Sequence, residues 1–365
     1  MLYSYTPTDI FSYLSERVIG QPDVLRVIAI ALYTHINELK GANILLIGNS
    51  GTGKTTIMKA IQQFYRDHAE LDKFKGMAIM NANTLVDEQG DVRLSRLLRT
   101  LEGESRFLMG DDVTSQRMHD YMENATVCFD EVDKVPSRVG GKPNPMGAAI
   151  QHALLTIIEG ERIYHETVIE QGGETEKVRF PVDTSRMLFI CGGAFEDIYD
   201  YIFSLIINNK DDRKLREISF HDIQGRMHRE FRLDLKKQIR LNDLFANGYQ
   251  PQFISRFGAI AVLEDLKKDD MKRILLTVPD SPLRYARDYF GSMDIELDVT
   301  DEAVDLIADN AAKTPRIGAR ALREQFNRIV DSFKFDPYSS GKLLEQDGKR
   351  LIVLDRETVV EQLSR

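Results

Sequence analysis

Four short apolar runs recur through the first two-thirds of the chain, each flanked by glycine or aspartate. They are NILLIG at 43–48, GMAIMN at 76–81, ATVCFD at 125–130 and MLFICGG at 187–193. Between them, stretches such as Thr55–Tyr65 and Met146–Glu159 have apolar residues at three- and four-residue spacing, which is typical of helices. Nearly continuous apolar strands separated by helices indicate a parallel sheet covered on both faces. The pattern therefore predicts an α/β fold.

After about residue 263 the helical periodicity becomes dominant. The predicted helices are Lys268–Thr277, Asp301–Thr314 and Ala319–Phe333, followed by a short strand, RLIVLD, and a last helix, RETVVEQLSR. We therefore predict two domains. A large α/β domain covers residues 1–262, with an atypical insertion at about 197–250, and a smaller, mainly helical domain covers residues 263–365.

Composition narrows the class of protein. The chain has 42 % apolar and 29 % charged residues, as ordinary globular proteins do. It has no apolar run of membrane-spanning length, and MLYSYTPTDIFSYLSER lacks the features of a secretory signal, so we expect a cytoplasmic protein with no membrane partner. The net charge of −9 argues against nucleic acid as the main ligand. Cys128 and Cys191 lie inside apolar runs and are predicted to pack in the core.

A glycine-rich loop follows the first apolar run. It reads Gly48-Asn49-Ser50-Gly51-Thr52-Gly53-Lys54-Thr55, and Thr56 continues into the predicted helix. In this GxxxxGK[ST] pattern, backbone N–H groups surround phosphate oxygens and the helix N-terminus adds its positive dipole. Lys54 is expected to reach the β- and γ-phosphates, and the Thr55 hydroxyl to bind Mg²⁺. A chance match in a chain of this length has odds of about 1 in 100. The loop, including Thr56, therefore predicts ATP with Mg²⁺ as the cofactors.

A second acidic motif ends the run ATVCFD, where Asp130 is followed by Glu131. An acidic residue at the end of a neighbouring strand holds the Mg²⁺ shell in phosphate-loop enzymes, which is the role expected of Asp130. Glu131 is expected to act as the general base on the attacking water. An ATPase that carries its own base differs from a kinase, which needs a site for an acceptor hydroxyl.

Further stretches match one ATPase family in order and spacing, between about residues 6 and 335. They are TPTDIFSYLSERVIGQPDVLRVIAIALYTHI, CFDEVDKV, GAAIQHALLTIIEG, VDTSRMLFICGGAF, PQFISRFGAIAVL and GARALREQF, together with the phosphate loop. On these motifs the chain resembles the ClpX/HslU branch of the Clp/HSP100 unfoldases, which are AAA+ ATPases. The family's N-terminal zinc domain has no counterpart in this sequence.

The resemblance implies an AAA+ module that forms a hexameric ring, acts on a protein client and works with a protease or an adaptor. Val18 and Ile19, in VIGQ, are expected to contact the adenine. Arg256, in PQFISRF, matches the arginine finger that reaches the ATP of a neighbouring subunit. Arg320, in GAR, matches the sensor-2 arginine, which touches the γ-phosphate within one chain. A sensor-1 residue is expected in or just after MLFICGG, with no side chain assigned.

The sequence departs from the family at two loops expected to face the ring's pore. The family's axial loop carries an aromatic residue that grips the threaded polypeptide, but Leu85–Leu97 reads LVDEQGDVRLSRL. Its expected tip, Gln89-Gly90-Asp91, is polar and acidic. The hairpin expected at about 162–180, basic in the family, reads VIEQGGETEKV near its tip and is more acidic.

The insertion at about 197–250 contains no Ile-Gly-Phe tripeptide, through which the family docks on its peptidase. The basic run Arg226–Arg240 is interpreted as the solvated face of an insertion helix with Phe231, Leu235 and Ile239 pointing inward, in preference to a site for nucleic acid or an acidic partner. The apolar tract Tyr201–Ile207 is interpreted as a buried helix rather than a docking patch.

These observations favour an ATP-driven remodeller of a protein client that lacks the general degradative partner. Three alternatives stay open: an unfoldase subunit of a different protease, a DNA-stimulated AAA+ motor, and a nucleotide-switched scaffold that hydrolyses ATP negligibly. The histidine spacings predict no metal site beyond nucleotide-bound Mg²⁺.

Overall fold

The computed structural model describes residues 3–87, 91–171, 174–338, 341–346 and 349–364. These residues form two compact units. The first contains the residues up to Gly48, Lys54–Asp212 and Leu235–Leu263. The second contains Asn49–Gly53, Arg213–Asp234 and the residues from Glu264 onward. The boundary predicted after residue 262 stays a prediction.

A five-stranded parallel sheet is the centre of the first unit. Its strands lie in the order Phe257–Val262, Asn43–Ile47, Leu188–Gly193, Thr126–Asp130 and Met77–Asn81. The four predicted strands and the α/β fold are confirmed, whereas Phe257–Val262 was not predicted as a strand. Since all five strands run in the same direction, their carboxyl ends meet at one edge of the sheet.

Helices and two antiparallel hairpins complete the first unit. Thr6 and Asp9 form a capping box at the start of the first helix, where Pro7 fits the first helical position. One hairpin pairs Arg162–Gln171 with Glu174–Asp183, as expected, and a smaller one pairs Arg138–Val139 with Lys142–Pro143. The α-helices are Pro7–Ser15, Pro22–Ile36, Lys54–Asp67, Ser95–Met109, Ser115–Glu123, Pro145–Glu159, Glu196–Ile207, Leu235–Gln238, Leu241–Ala246 and Pro251–Ile254, with 3-10 turns at Ala69–Phe74, Ala82–Leu85, Val132–Lys134 and Thr184–Arg186.

The second unit has its own apolar core, in which Phe290, Phe326 and Ile329 are fully buried. Its helices are Lys268–Thr277, Pro282–Gly291, Asp301–Ala312, Ala319–Phe335 and Arg356–Ser364. The predicted helices and the strand over RLIVLD are confirmed. That strand, Lys349–Leu354, is the middle of a three-stranded sheet between Ile295–Val299 and Leu343–Gln346, so this region contains more sheet than the sequence predicted.

The interpretation of the basic run as an insertion helix is wrong for its first half. Arg216–His221 and Met227–Arg232 pair as an antiparallel hairpin, which we call the insertion hairpin. Phe231 is 56 % exposed on its second strand, and helix is present only at Leu235–Gln238, where Leu235 is buried. Apolar Ile218 and Phe220 alternate with polar residues in REISFH, and the pairing of this strand with MHREFR prevails over the four-residue spacing of Phe231, Leu235 and Ile239.

The tract Tyr201–Ile207 is helical, as predicted, but only part of it is buried. Ile202 is fully buried, whereas Ile207 is 56 % exposed. The helix Glu196–Ile207 thus covers the first unit with one face only.

Cys128 and Cys191 are fully buried on neighbouring strands of the five-stranded sheet, as predicted. Among the described residues, no helix has the length and apolar character needed to cross a membrane.

Candidate active site

Two residues at the start of the helix Lys54–Asp67 form the core of the site in the first unit. The Lys54 ammonium is buried and donates to the Gly48 carbonyl oxygen at 2.6 Å. The Thr55 hydroxyl donates to Asp130 Oδ2 at 2.8 Å, although 75 positions separate the two residues. The sheet order explains the contact, because one strand leads into the phosphate loop and another ends at Asp130, with only Leu188–Gly193 between them.

Glu131 has an exposed side chain and an unusual backbone. Its φ of 57° lies in the left-handed region, and its N–H donates to Asp130 Oδ1 at 2.9 Å. Asn81, at the end of the edge strand, pairs in register with Asp130, and its Nδ2 donates to Glu131 Oε2 at 3.2 Å. A left-handed conformation in a non-glycine residue costs energy and is concentrated at functional sites. Asn81 thus holds the Glu131 carboxylate, and Asp130 holds the Glu131 backbone.

Asn81 is a site residue that the sequence analysis missed. The signal was available, since Asn81 is the last residue of MAIMN and the ends of parallel strands share one edge. The order of the strands cannot be read from the sequence, however. The sequence therefore could not show that the strand ending at Asn81 lies next to the strand ending at Asp130.

Residues Asn49–Gly53 of the phosphate loop belong to the second unit. The Ala319 N–H donates to the Gly51 carbonyl oxygen at 3.0 Å, so the helix Ala319–Phe335 begins directly against the loop. Gly318 makes this approach possible, because a Cβ there would lie 2.6 Å from Gly51 O. The Arg320 backbone nitrogen lies beside Gly51, and its side chain is exposed. The phosphate loop and the GAR motif are therefore in contact within this unit.

Asn49 adds a second connection within the same unit. It is buried, and its Nδ2 donates to Asp265 Oδ1 at 2.7 Å. Burial raises the pKa of Asp265, and the Asn49 hydrogen bond and the Arg232 charge oppose that rise. No sequence pattern predicts this pair, whose members are 216 positions apart.

The remaining predicted residues are less completely placed. Arg256 is exposed and forms an ion pair with Glu159 at the end of the helix Pro145–Glu159. Val18 is buried in the apolar core and Ile19 is half-buried, so the adenine contact stays a prediction for both residues.

The expected sensor-1 position lies at the end of the strand Leu188–Gly193, where Gly192 and Gly193 are followed by Ala194 and the buried Phe195. These four positions offer no polar side chain for a sensor-1 role.

The expected axial loop is compact where it is described. The Arg93 N–H donates to Leu85 O at 2.7 Å, and the Arg93 guanidinium pairs with Asp87 at 2.7 Å and Asp91 at 3.2 Å. Gln89 and Gly90, two of the three residues of the expected tip, lie outside the described residues. That this segment is an altered axial loop stays a prediction.

The arrangement in the first unit fits nucleotide with Mg²⁺. The oxygens of Thr55 and Asp130 are of the type that Mg²⁺ binds, and they are near enough to share one ion. Gly192 lies between Lys54 and Asp130, since a Cβ there would be 3.8 Å from Lys54 Cδ and 3.7 Å from Asp130 Oδ1, both ordinary contact distances.

Comparison with known proteins gives a consistent result. The family model described as AAA domain (Cdc48 subfamily) matches residues 39–260, more than half of the chain. Three curated relatives carry the name "ATP-dependent Clp protease ATP-binding subunit ClpX". The protein from Azotobacter vinelandii is 29 % identical over 96 % of this chain and 80 % of its own length. The protein from Treponema denticola is 26 % identical over 99 % of this chain and 82 % of its own length. The protein from Borrelia duttonii is 27 % identical over 93 % of this chain and 76 % of its own length.

Proposed function

This chain belongs to the AAA domain (Cdc48 subfamily) family and is a ClpX-like ATPase that uses ATP with Mg²⁺, and from that premise we propose that it works as a ring-shaped motor that remodels a protein client. The observation that carries the proposal is the contact of Thr55 with Asp130, beside a Glu131 carboxylate fixed by Asn81. Energy from hydrolysis at this site would be used to change the folding or assembly state of the client.

Each site residue has one task in this proposal. The N–H groups of residues 48–56 and the Lys54 ammonium hold the phosphates, and Thr55 and Asp130 hold the metal. Bound Mg²⁺ would neutralise charge on the phosphate oxygens. Glu131 orients the attacking water and accepts its proton, and the hydrogen bond from Asn81 keeps the carboxylate in place. Arg320 would contact the γ-phosphate, and Val18 and Ile19 the adenine.

We infer assembly from Arg256. A finger residue must be accessible to a neighbouring subunit, and Arg256 is exposed and forms a surface ion pair with Glu159. Because such a finger contributes about 10³–10⁵-fold to hydrolysis, an isolated chain would be nearly inactive. A closed ring, hexameric as in the family that the sequence resembles, supplies Arg256 to every site.

We also propose that the client range is narrow. The acidic and ion-paired segment around Asp87, Asp91 and Arg93 has no aromatic side chain in its sequence to grip an arbitrary extended chain. The insertion hairpin contains Ile218-Ser219-Phe220 and no Ile-Gly-Phe sequence. A motor with these two changes suits one defined client or assembly better than general degradation.

One alternative has a specific observation in its favour. The three curated relatives, matched over at least 93 % of this chain, are named as subunits of the Clp protease. The chain could therefore be the unfoldase subunit of a protease that docks through a different surface. ATP-dependent loss of fluorescence from a tagged folded protein, in the presence of a co-purified peptidase, would favour this alternative.

The first experiment uses the Glu131→Gln variant. It is expected to bind ATP but to hydrolyse it at least about 10²-fold more slowly than the unmodified chain, because the general base is removed. The measurements are nucleotide binding, phosphate release, and the proteins that co-purify with and without ATP. A client retained only with ATP would support the remodelling function.

Two matched variants sharpen the experiment. Lys54→Ala should bind neither ATP nor the client, and Glu161→Gln, which changes an exposed carboxylate outside the site, should behave as the unmodified chain does. Unchanged hydrolysis in Glu131→Gln would refute the assignment of the base. If a peptidase is among the retained proteins, the protease alternative replaces the leading proposal.

A further inference from the structure

The insertion hairpin is attached to the second unit by Arg232, the last residue of its second strand. The Arg232 side chain is only 20 % exposed, and its Nη2 donates to the Lys313 carbonyl oxygen at 2.6 Å. Its guanidinium also forms an ion pair with Glu230 and lies 5.9 Å from the centre of the Phe220 ring. Arg232 therefore contacts both strands of the hairpin and one fixed point outside it.

Lys313 begins a short segment that ends at the phosphate loop. Residues 313–319 form a tight turn, in which Ile317 N–H donates to Thr314 O and Gly318 N–H to Pro315 O, both at 3.2 Å. The turn ends at the hydrogen bond from Ala319 to Gly51. Because Gly318 is in close contact with Gly51, we expect a displacement at Lys313 to be transmitted through this turn to the loop.

A second connection passes through Asp265. This carboxylate accepts the hydrogen bond from Asn49, two positions before Gly51 in the phosphate loop. Arg232 lowers the pKa of Asp265 through its charge, against the larger effect of burial. Arg232 thus reaches the loop by hydrogen bonds through the 313–319 turn, and its positive charge also favours the ionised form of Asp265.

We propose that Arg232 is a positioning residue that couples the insertion hairpin to the phosphate loop, so that displacement of the hairpin changes the affinity for nucleotide. The inference rests on the proposed function, because it takes residues 48–56 to be the nucleotide site. Coupling between sites is reciprocal, so nucleotide binding must change the hairpin by the same free energy. A partner that binds the hairpin would then regulate hydrolysis without touching the site.

The test compares Arg232→Gln with Arg229→Gln. Arg229 is three residues earlier on the same strand and is exposed, so it controls for the loss of one positive charge from the hairpin. ADP binding by calorimetry, and kcat and KM for ATP, are measured on the full chain. Arg232→Gln is expected to weaken ADP binding and raise KM by about fivefold or more, whereas Arg229→Gln leaves both unchanged.

Three further measurements separate coupling from a loss of fold. Arg232→Lys keeps a charge and a donor and should recover part of the affinity. The Arg232→Gln, Asp265→Asn double variant should lose less affinity than the product of the single effects, because the two residues act on the same loop. Hydrogen exchange should show that ADP protects residues 216–232 in the unmodified chain but not in Arg232→Gln.

The outcomes are distinguishable. Unchanged ADP affinity in Arg232→Gln and in Asp265→Asn would overturn the coupling and leave the ATPase function intact. Equal weakening by Arg229→Gln would also overturn it, since general hairpin charge would then explain the effect. Failure of the unmodified chain to bind ADP at all would overturn the coupling and the proposed function together.

Discussion

Glu131 has several structural features that are typical of a reactive carboxylate. It follows a buried strand, has a left-handed backbone and is held by Asn81 through its side chain and by Asp130 through its backbone. Phe195, two residues beyond the adjacent strand Leu188–Gly193, has a φ of 54° and is also left-handed. Each such conformation costs on the order of 1–3 kcal/mol, so the surrounding structure must impose it. Both lie just beyond carboxyl ends of the sheet, where the proposed chemistry takes place.

At the same scale, His35 should make the stability of the protein depend on pH. Its ring is buried, its Nε2–H donates to Asn124 O at 3.0 Å, and burial lowers its pKa from 6.5 to about 4. The unfolded chain therefore binds a proton as the pH falls below 6.5, and the folded chain does so only near 4. This difference should remove up to about 3 kcal/mol of the free energy of unfolding across that interval.

The measurement is urea unfolding at a series of pH values in that interval. His35→Gln keeps a hydrogen-bond donor but cannot titrate, so its free energy of unfolding should fall less steeply as the pH decreases. His152→Gln, at an exposed position, is the matched control and should keep the slope of the unmodified chain. Parallel slopes in all three proteins would show that His35 does not carry the effect.

At the scale of elements, one helix anchors the two segments expected to face the pore. Ser95–Met109 directly follows the segment 85–93, and its Glu102 binds the long hairpin. Glu102 accepts hydrogen bonds from His165 Nε2 at 2.9 Å and from the Thr167 hydroxyl, and Arg106 donates to Val168 O at 2.6 Å. Burial opposes ionisation of Glu102, but these hydrogen bonds outweigh it and lower its pKa.

Glu102→Gln should therefore destabilise the protein by about 1–3 kcal/mol, because the buried His165 loses a charged partner. The matched control is Glu166→Gln on the same hairpin, whose ion pair with Arg179 is exposed on both sides and should contribute at most about 0.5 kcal/mol. The measurement is the free energy of unfolding in urea for the unmodified chain and the two variants. Equal midpoints for the two variants would contradict an anchoring role for Glu102.

Sequence analysis predicted the elements whose signal is local. The four apolar strands, the helix after Lys54 and the helices Lys268–Thr277, Asp301–Ala312 and Ala319–Phe335 follow from periodicity, whereas the helix Pro282–Gly291 was not predicted. Phe257–Val262 was missed as a strand because FGAIAV is short and contains glycine and alanine, which have low strand preference. The insertion hairpin was missed because Phe231, Leu235 and Ile239 fit a helical spacing, and only pairing with Arg216–His221 selects the strand.

The residues of the candidate site can likewise be separated into those that have a local sequence signal and those that have none. Lys54, Thr55, Asp130 and Glu131 were predicted because their motifs are contiguous. Asn81, Gly318 and Asp265 were not, because each reaches the site through strand order or through a contact between distant segments. Nothing in a single sequence reports such contacts.

At the scale of the whole molecule, the exposure of Arg256 predicts activity shared between subunits. Arg256→Ala and Glu131→Gln should each be nearly inactive alone, because one removes the finger and the other the base. When the two are mixed at equal amounts, a site with Glu131 can meet a neighbour with Arg256. Random mixing gives this arrangement at about a quarter of the sites, so that share of normal hydrolysis should return.

Phosphate release from the mixture, with particle mass measured on the same sample, tests this prediction. The control is Glu131→Gln mixed with the unmodified chain, which reports any loss of activity caused by mixing itself. A mixture no more active than its components, in particles that contain both, would mean that Arg256 acts within its own subunit or not at all.

The two buried cysteines also give the protein an internal reporter of sheet opening. Burial raises the pKa of both the Cys128 and the Cys191 thiol, so neither is a thiolate in the folded protein. A thiol reagent can therefore react only when the central sheet separates, and these are the only two cysteines in the chain. Displacement of the insertion hairpin or of the 85–93 segment would not be detected by labelling, whereas loss of the sheet would. Labelling rates of the unmodified chain would thus distinguish working motions of the loops from unfolding of the ATPase core, with no engineered probe.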